Sequence, residues 1–96
     1  MSSYESMIIL SADLDEETKE HWLEQFQEIL VKKGGELLEL EPWGRRKLAY
    51  VINKVHHEGE YYLIKFKGNL EILKELDHLC KVSDEVIRSL TTRLNQ

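Results

Sequence analysis

Ninety-six residues, 42% hydrophobic and 32% charged, describe one folded, highly soluble domain spanning residues 1–96, since two cores would each fall below the size at which chains fold unaided. The one Cys rules out an intrachain disulfide or a thiolate-built zinc site and fits a reducing compartment. Neither a long apolar window nor a basic-then-apolar N-terminus is present, so no membrane span and no secretory signal are expected.

Tyr4–Leu10 is short, apolar and β-prone, and reads as a strand closed by Ser11-Ala-Asp-Leu-Asp15. Asp15, Glu16, Glu17 and Thr18 form a helix start, with acids at the positive end of the helix dipole. Trp22, Leu23, Phe26, Ile29 and Leu30 follow at spacings of three and four, and Gly34-Gly35 supplies a left-handed stop. Glu36–Glu41 reads as a strand that Pro42 interrupts, with a bulge or bend at Trp43-Gly44 and extended structure again over Lys47–Asn53. His56–Glu60 is the expected turn of a long hairpin whose second arm is Tyr61–Lys67. Strict alternation puts Tyr62, Ile64 and Phe66 on one face of that arm, and Tyr61, Leu63, Lys65 and Lys67 on the other. A second helix begins near Gly68-Asn69, breaks at Lys81–Asp84, and gives way to a last strand over Glu85–Arg93.

The order β-α-β-β-α-β on so short a chain predicts an α+β, ferredoxin-like split β-α-β sandwich. Its four-stranded antiparallel sheet carries both helices on one face and leaves the other bare for a partner.

The net charge of −5 by itself argues against nucleic acid. It is unevenly spread. Residues 1–41 hold eleven acids and three bases, net −8, whereas residues 42–68 come to +4. A middle segment of opposite sign is a candidate anion-facing surface, because screening makes charges act locally.

Catalytic patterns are absent. The acids at 13–17 are explained by helix capping, and no nucleophile elbow or phosphate loop is present. His56-His57-Glu58 lacks a third distant ligand, so neither metal nor cofactor is expected. An acylphosphatase would need a glycine-rich, arginine-bearing loop after the first strand, where this chain has the acidic Ser11–Asp15. Tyr61–Phe66 also lacks the glycine pattern of an RNA-recognition motif. What remains is Trp43-Gly-Arg45-Arg46-Lys47-Leu-Ala-Tyr50. Its cations beside a Trp can grip phosphate and stack on ribose or base, or can simply guard an edge strand against aggregation.

Gly44-Arg-Arg-Lys-Leu-Ala-Tyr-Val-Ile52 resembles the signature of the bacterial small-subunit ribosomal protein six family. Tyr4-Glu5, Gly59-x-Tyr61 and Val86-Ile-Arg88 fall where that family has them, so the resemblance covers residues 3–94. Two departures exist. Val51 stands where Pro is common, and the acidic C-terminal tail of some members is missing after Asn95-Gln96, so no tail-dependent contact is expected.

The resemblance implies a non-enzymatic, cytoplasmic component of the small (30S) ribosomal subunit. Such a protein binds 16S rRNA jointly with small-subunit ribosomal protein eighteen, as a heterodimer, with no DNA or membrane partner. Matched to the motif, Arg45, Arg46 and Lys47 are the lead RNA-binding candidates, with Trp43 and Tyr50 as neighbours. Arg88 and Arg93 follow, five residues apart and so on opposite faces of a regular strand. The alternative is a ligand-sensing or homo-oligomeric regulatory domain on the same fold.

Overall fold

A computed structural model of the chain describes residues 2–47 and 58–94. The elements run β1 (Ser2–Ser11), α1 (Glu16–Lys32), β2 (Glu36–Lys47), β3 (Glu58–Gly68), α2 (Leu70–Val82) and β4 (Val86–Arg93). The sheet order is β2-β3-β1-β4, and every neighbouring pair is antiparallel. This is the split β-α-β sandwich that the element order dictates.

The helices begin and end on chemistry visible in the sequence. Asp15 Oδ1 accepts from the Thr18 N–H at 2.8 Å, and this bond holds the Asp15 carboxyl below its ordinary value. Asn69 does the same for α2, accepting from the Ile72 N–H at 3.0 Å. Gly34 ends α1 in the left-handed region at φ 87°. Gly35 is tight for another reason: a Cβ there would lie 2.5 Å from the Leu30 Cδ1 and 2.8 Å from the Lys67 carbonyl oxygen.

The core lies between the helices and the even-numbered side chains of the two central strands. Tyr4, Ile8 and Leu10 of β1 and Tyr62, Ile64 and Phe66 of β3 meet Trp22, Phe26 and Leu30 of α1 and Ile72, Leu76 and Cys80 of α2. Phe66 stacks on Tyr4 at 5.8 Å and meets Phe26 edge-on at 6.0 Å. The Trp22 indole N–H donates to Ser83 Oγ, whose own hydroxyl donates to the Leu79 carbonyl, so the end of α2 is tied to α1. Burial pushes the Cys80 thiol up, consistent with a small core residue.

Three expectations change at the level of elements. Pro42 does not interrupt β2, which runs through it to Lys47. As the outermost described strand β2 has, among the described residues, no outer neighbour to receive an N–H from that position, and edge strands tolerate proline for this reason. Glu58, Gly59 and Glu60 belong to β3 rather than to the turn, paired with Lys47, Arg46 and Arg45. Gly68 ends β3 opposite Ser2, which leaves Asn69 alone to cap α2. The extended structure expected over 48–53 and the turn residues His56 and His57 lie outside the described residues.

Candidate nucleic-acid interface

Strand register fixes which side chains share the sheet face opposite the helices. Reading across from β2 to β4, one row is Glu39, Lys65, Glu5 and Thr92. The next is Glu41, Leu63, Met7 and Leu90, and the next Gly44, Tyr61, Ile9 and Arg88. Arg46, Gly59 and Ser11 close that end, while Glu36, Lys67 and Ser3 close the other. This open face is therefore not uniformly basic. Lys65 Nζ lies 3.4 Å from Glu39 Oε2, and Glu5 stands directly across on its other side. Cations of the basic segment are matched by acids of the acidic one.

The middle of the face is apolar, with Ile9 and Leu63 buried although they face away from α1 and α2. Arginines stand at one end, Arg46 on β2 and Arg88 on β4, the outer strands. Those strands are three spacings apart, roughly 14 Å.

The bulge in β2 positions the remaining aromatic group. Register shifts between Pro42 and Gly44, so Trp43 is the extra residue, and Gly44 takes the turn at φ 83°. A non-glycine residue would be strained there. The Trp43 indole N–H donates to Glu41 Oε2 at 3.2 Å, which holds the Glu41 carboxyl below its ordinary value. The Arg46 guanidinium carbon lies 5.6 Å from the indole centroid. Glu41 and Arg46 both project from the open face, so the indole rests there too, and Trp43 is 43% exposed.

The structure does not gather the three adjacent cations of the motif into one patch. Arg45 opposes Glu60 and therefore points to the helix side. Its Nη2 donates to the Ala12 carbonyl at 2.9 Å and its Nη1 lies 3.5 Å from Glu58, so it ties β2 to the loop after β1. Arg46, one residue on, points the other way. Lys47 ends β2 opposite Glu58; its side chain, and Tyr50 entirely, lie outside the described residues. Arg88 and Arg93 do fall on opposite faces, Arg88 across from Ile9 and Arg93 across from Tyr4. Arg93 lines a groove of about 490 Å³ between α2 and β4, with Leu70, Leu73, Lys74 and Leu90.

Alternation along β3 places Tyr61 on this face as expected, but two facts about the corner were missed in the sequence: Tyr61 stands directly across from Gly44, and Glu41 fixes the indole. Counting alternation through the bulge is the signal that would have found them. A buried cation was also missed: Lys19 is 3% exposed and lies 3.4 Å from Glu60 and 3.6 Å from Glu16. Among the described residues no helix is long and apolar enough to cross a membrane.

The family model of ribosomal protein S6 matches residues 3–93. The chain is 41% identical to the small ribosomal subunit protein bS6 of Thermoanaerobacter pseudethanolicus over the full length of both. It is 46% identical to that of Clostridium novyi over 88 residues, 92% of each chain. The crystal structure of 30S ribosomal protein S6 from Thermotoga maritima superposes with a TM-score of 0.88 at 35% identity, covering 97% of this chain and 87% of that one. A chemotaxis kinase CheA P2 domain from Thermotoga maritima, solved with CheY, shares the fold alone, at 14% identity and a TM-score of 0.52. The chain belongs to the ribosomal protein S6 family and is a structural, non-enzymatic protein of the small ribosomal subunit.

Proposed function

We propose that the chain binds 16S rRNA in the cytoplasmic small subunit jointly with ribosomal protein S18, and that the arginine end of the open face makes the RNA contact. The observation that carries this reading is the placement of Arg46, against Trp43, and Arg88 at one end of a face that neither α1 nor α2 covers. Arginines borne on strands roughly 14 Å apart suit separate phosphates, and Arg supplies planar forked donors to each. Arg45 contributes by bracing β2 rather than by touching RNA, and Arg93, on the other face, meets a different surface. Lys47 and Tyr50 remain RNA-contact candidates on the strength of the motif alone.

An acidic stripe supports the protein partnership. Glu16, Glu17, Glu20, Glu24 and Glu28 are all exposed along α1, and such a surface steers a basic partner electrostatically.

The test is charge reversal at Arg46 and Arg88, separately and together, with binding to 16S rRNA in the presence of S18 measured across salt. Each lost phosphate contact is expected to flatten the dependence of log affinity on log salt by roughly 0.7–0.9. Unchanged affinity and slope in the double variant would remove this end of the face from the interface. Arg45→Glu is expected to differ in kind, lowering thermal stability because its two contacts are internal to the fold.

A further inference from the structure

We propose that the Trp43 indole is a stacking platform for one unpaired nucleobase, so that this corner takes a looped-out or single-stranded nucleotide rather than the side of a duplex. The proposal rests on the rRNA-binding reading above and specifies what that site receives.

The two tryptophans of the chain make the contrast. Trp22 is 1% exposed, packed among core aromatics and tied to Ser83. Trp43 is 43% exposed, on a bulge in an outer strand. It is nonetheless held from two sides: Glu41 fixes the ring edge through the indole N–H, and Arg46 lies within cation–π range of the ring. An aromatic surface oriented before its ligand arrives avoids much of the ordering cost of binding.

The surroundings suit a flat ligand with an attached phosphate. A Cβ built on Gly44 would meet nothing within 4 Å among the described residues beyond its own chain neighbours, so the bulge is open at the position next to Trp43. Arg46, over one face of the ring, offers a phosphate partner, and the Glu41 carboxylate at the indole N–H repels one. The base is thus oriented with its sugar-phosphate toward Arg46. Duplex RNA keeps its base faces stacked inside the helix, and only an unpaired base offers a π-face to an indole. Stacking on an aromatic ring tolerates any base, so the platform sets geometry rather than sequence.

The test uses the full chain and its intrinsic fluorescence. Because Trp22 is buried, quenching by an added single-stranded oligoadenylate reports on Trp43. The oligoadenylate is expected to quench, and a blunt RNA duplex of equal charge is not. In binding to 16S rRNA with S18 present, Trp43→Ala is expected to lose roughly 5- to 150-fold in affinity. Trp43→Phe should stay within a few-fold of the parent, and Trp43→Leu should resemble Trp43→Ala. All three are expected to unfold at the parent's temperature, since the ring is outside the core.

Retention by Trp43→Leu as good as by Trp43→Phe would overturn the proposal and assign the ring to an apolar side chain of a protein partner. Equal quenching by duplex would overturn it as well. If Arg46→Glu and Arg88→Glu weaken rRNA binding while Trp43→Ala does not, stacking alone fails. If the parent chain with S18 does not bind rRNA, both readings fall together.

Discussion

The two outer strands, β2 and β4, border the same sheet and are built on opposite plans. β2 carries charge along most of its length, contains Pro42, and is broken by register shifts at Leu37/Glu39 and at Pro42/Gly44. Charge, proline and bulges are the devices that keep an edge from pairing with a stranger's strand. β4 has a single shift, opposite Ile9/Leu10, and then pairs regularly through Ser89-Leu-Thr-Thr92, which carries no charge. The lesson lies in what each edge can offer. A bulged edge presents side chains, and here it presents Trp43 and Arg46; a regular edge presents backbone.

Four experiments probe that contrast, beginning with the largest expected effect. Gly44→Val puts a β-branched residue at φ 83° with no steric neighbour to blame, so its cost is purely conformational. About 1–3 kcal/mol of stability should be lost in urea unfolding, and the Trp43–Arg46 corner should be displaced. On the other edge, Thr91→Val removes the 2.6 Å hydrogen bond to the buried Ser6 hydroxyl and should cost about 1–2 kcal/mol in the same assay. Arg45→Ala releases β2 from the Ala12 carbonyl and Glu58; the side chain is half exposed, so a loss of about 0.5–1 kcal/mol is expected. Leu90→Lys, at a 61% exposed position, should change stability by no more than about 0.5 kcal/mol. If β4 were instead masked in the isolated chain, that substitution would be costly.

Acid offers a gentler probe of the bulged edge. The Trp43 N–H holds the Glu41 carboxyl below its ordinary value, so the ionised form is the one the fold favours. The contact's contribution is full above the ordinary carboxylate range and is lost as pH falls through the lowered value. Trp43 emission should therefore change in an acid titration while the core is still intact, and Glu41→Gln should abolish the step.

Local chemistry was readable in the sequence where one residue decides the outcome. Asp15 and Asn69 cap their helices, Gly34 ends one, and Trp43-Gly44 marks the bulge, because each acts on backbone groups within a few positions. Register was not readable, because it depends on strands distant in sequence. Lys65 looks like part of a basic stripe until Glu39 and Glu5 are found on either side of it. Lys19 sits among acids at a helix start, and only the packing of α1 against β3 reveals that it is buried beside Glu60. The adjacency of Arg45 and Arg46 suggested one patch, although alternation along a strand already sends neighbours to opposite faces. Segment charge was informative about composition and misleading about surface.

The hydrogen bond between Ser6 and Thr91 joins residues 85 positions apart. During synthesis, β1 emerges early with β3 and β4 still unmade, and the central strand of the sheet must wait for both neighbours. At roughly 5–20 residues per second, some 4–16 s separate the birth of β1 from that of β4. Ile8, Ile9 and Leu10 gain the first of their two strand partners when β3 is made, and the second only at the end of that interval. A protein that later helps build the ribosome thus leaves one as an unfinished sheet, closed only by its last strand.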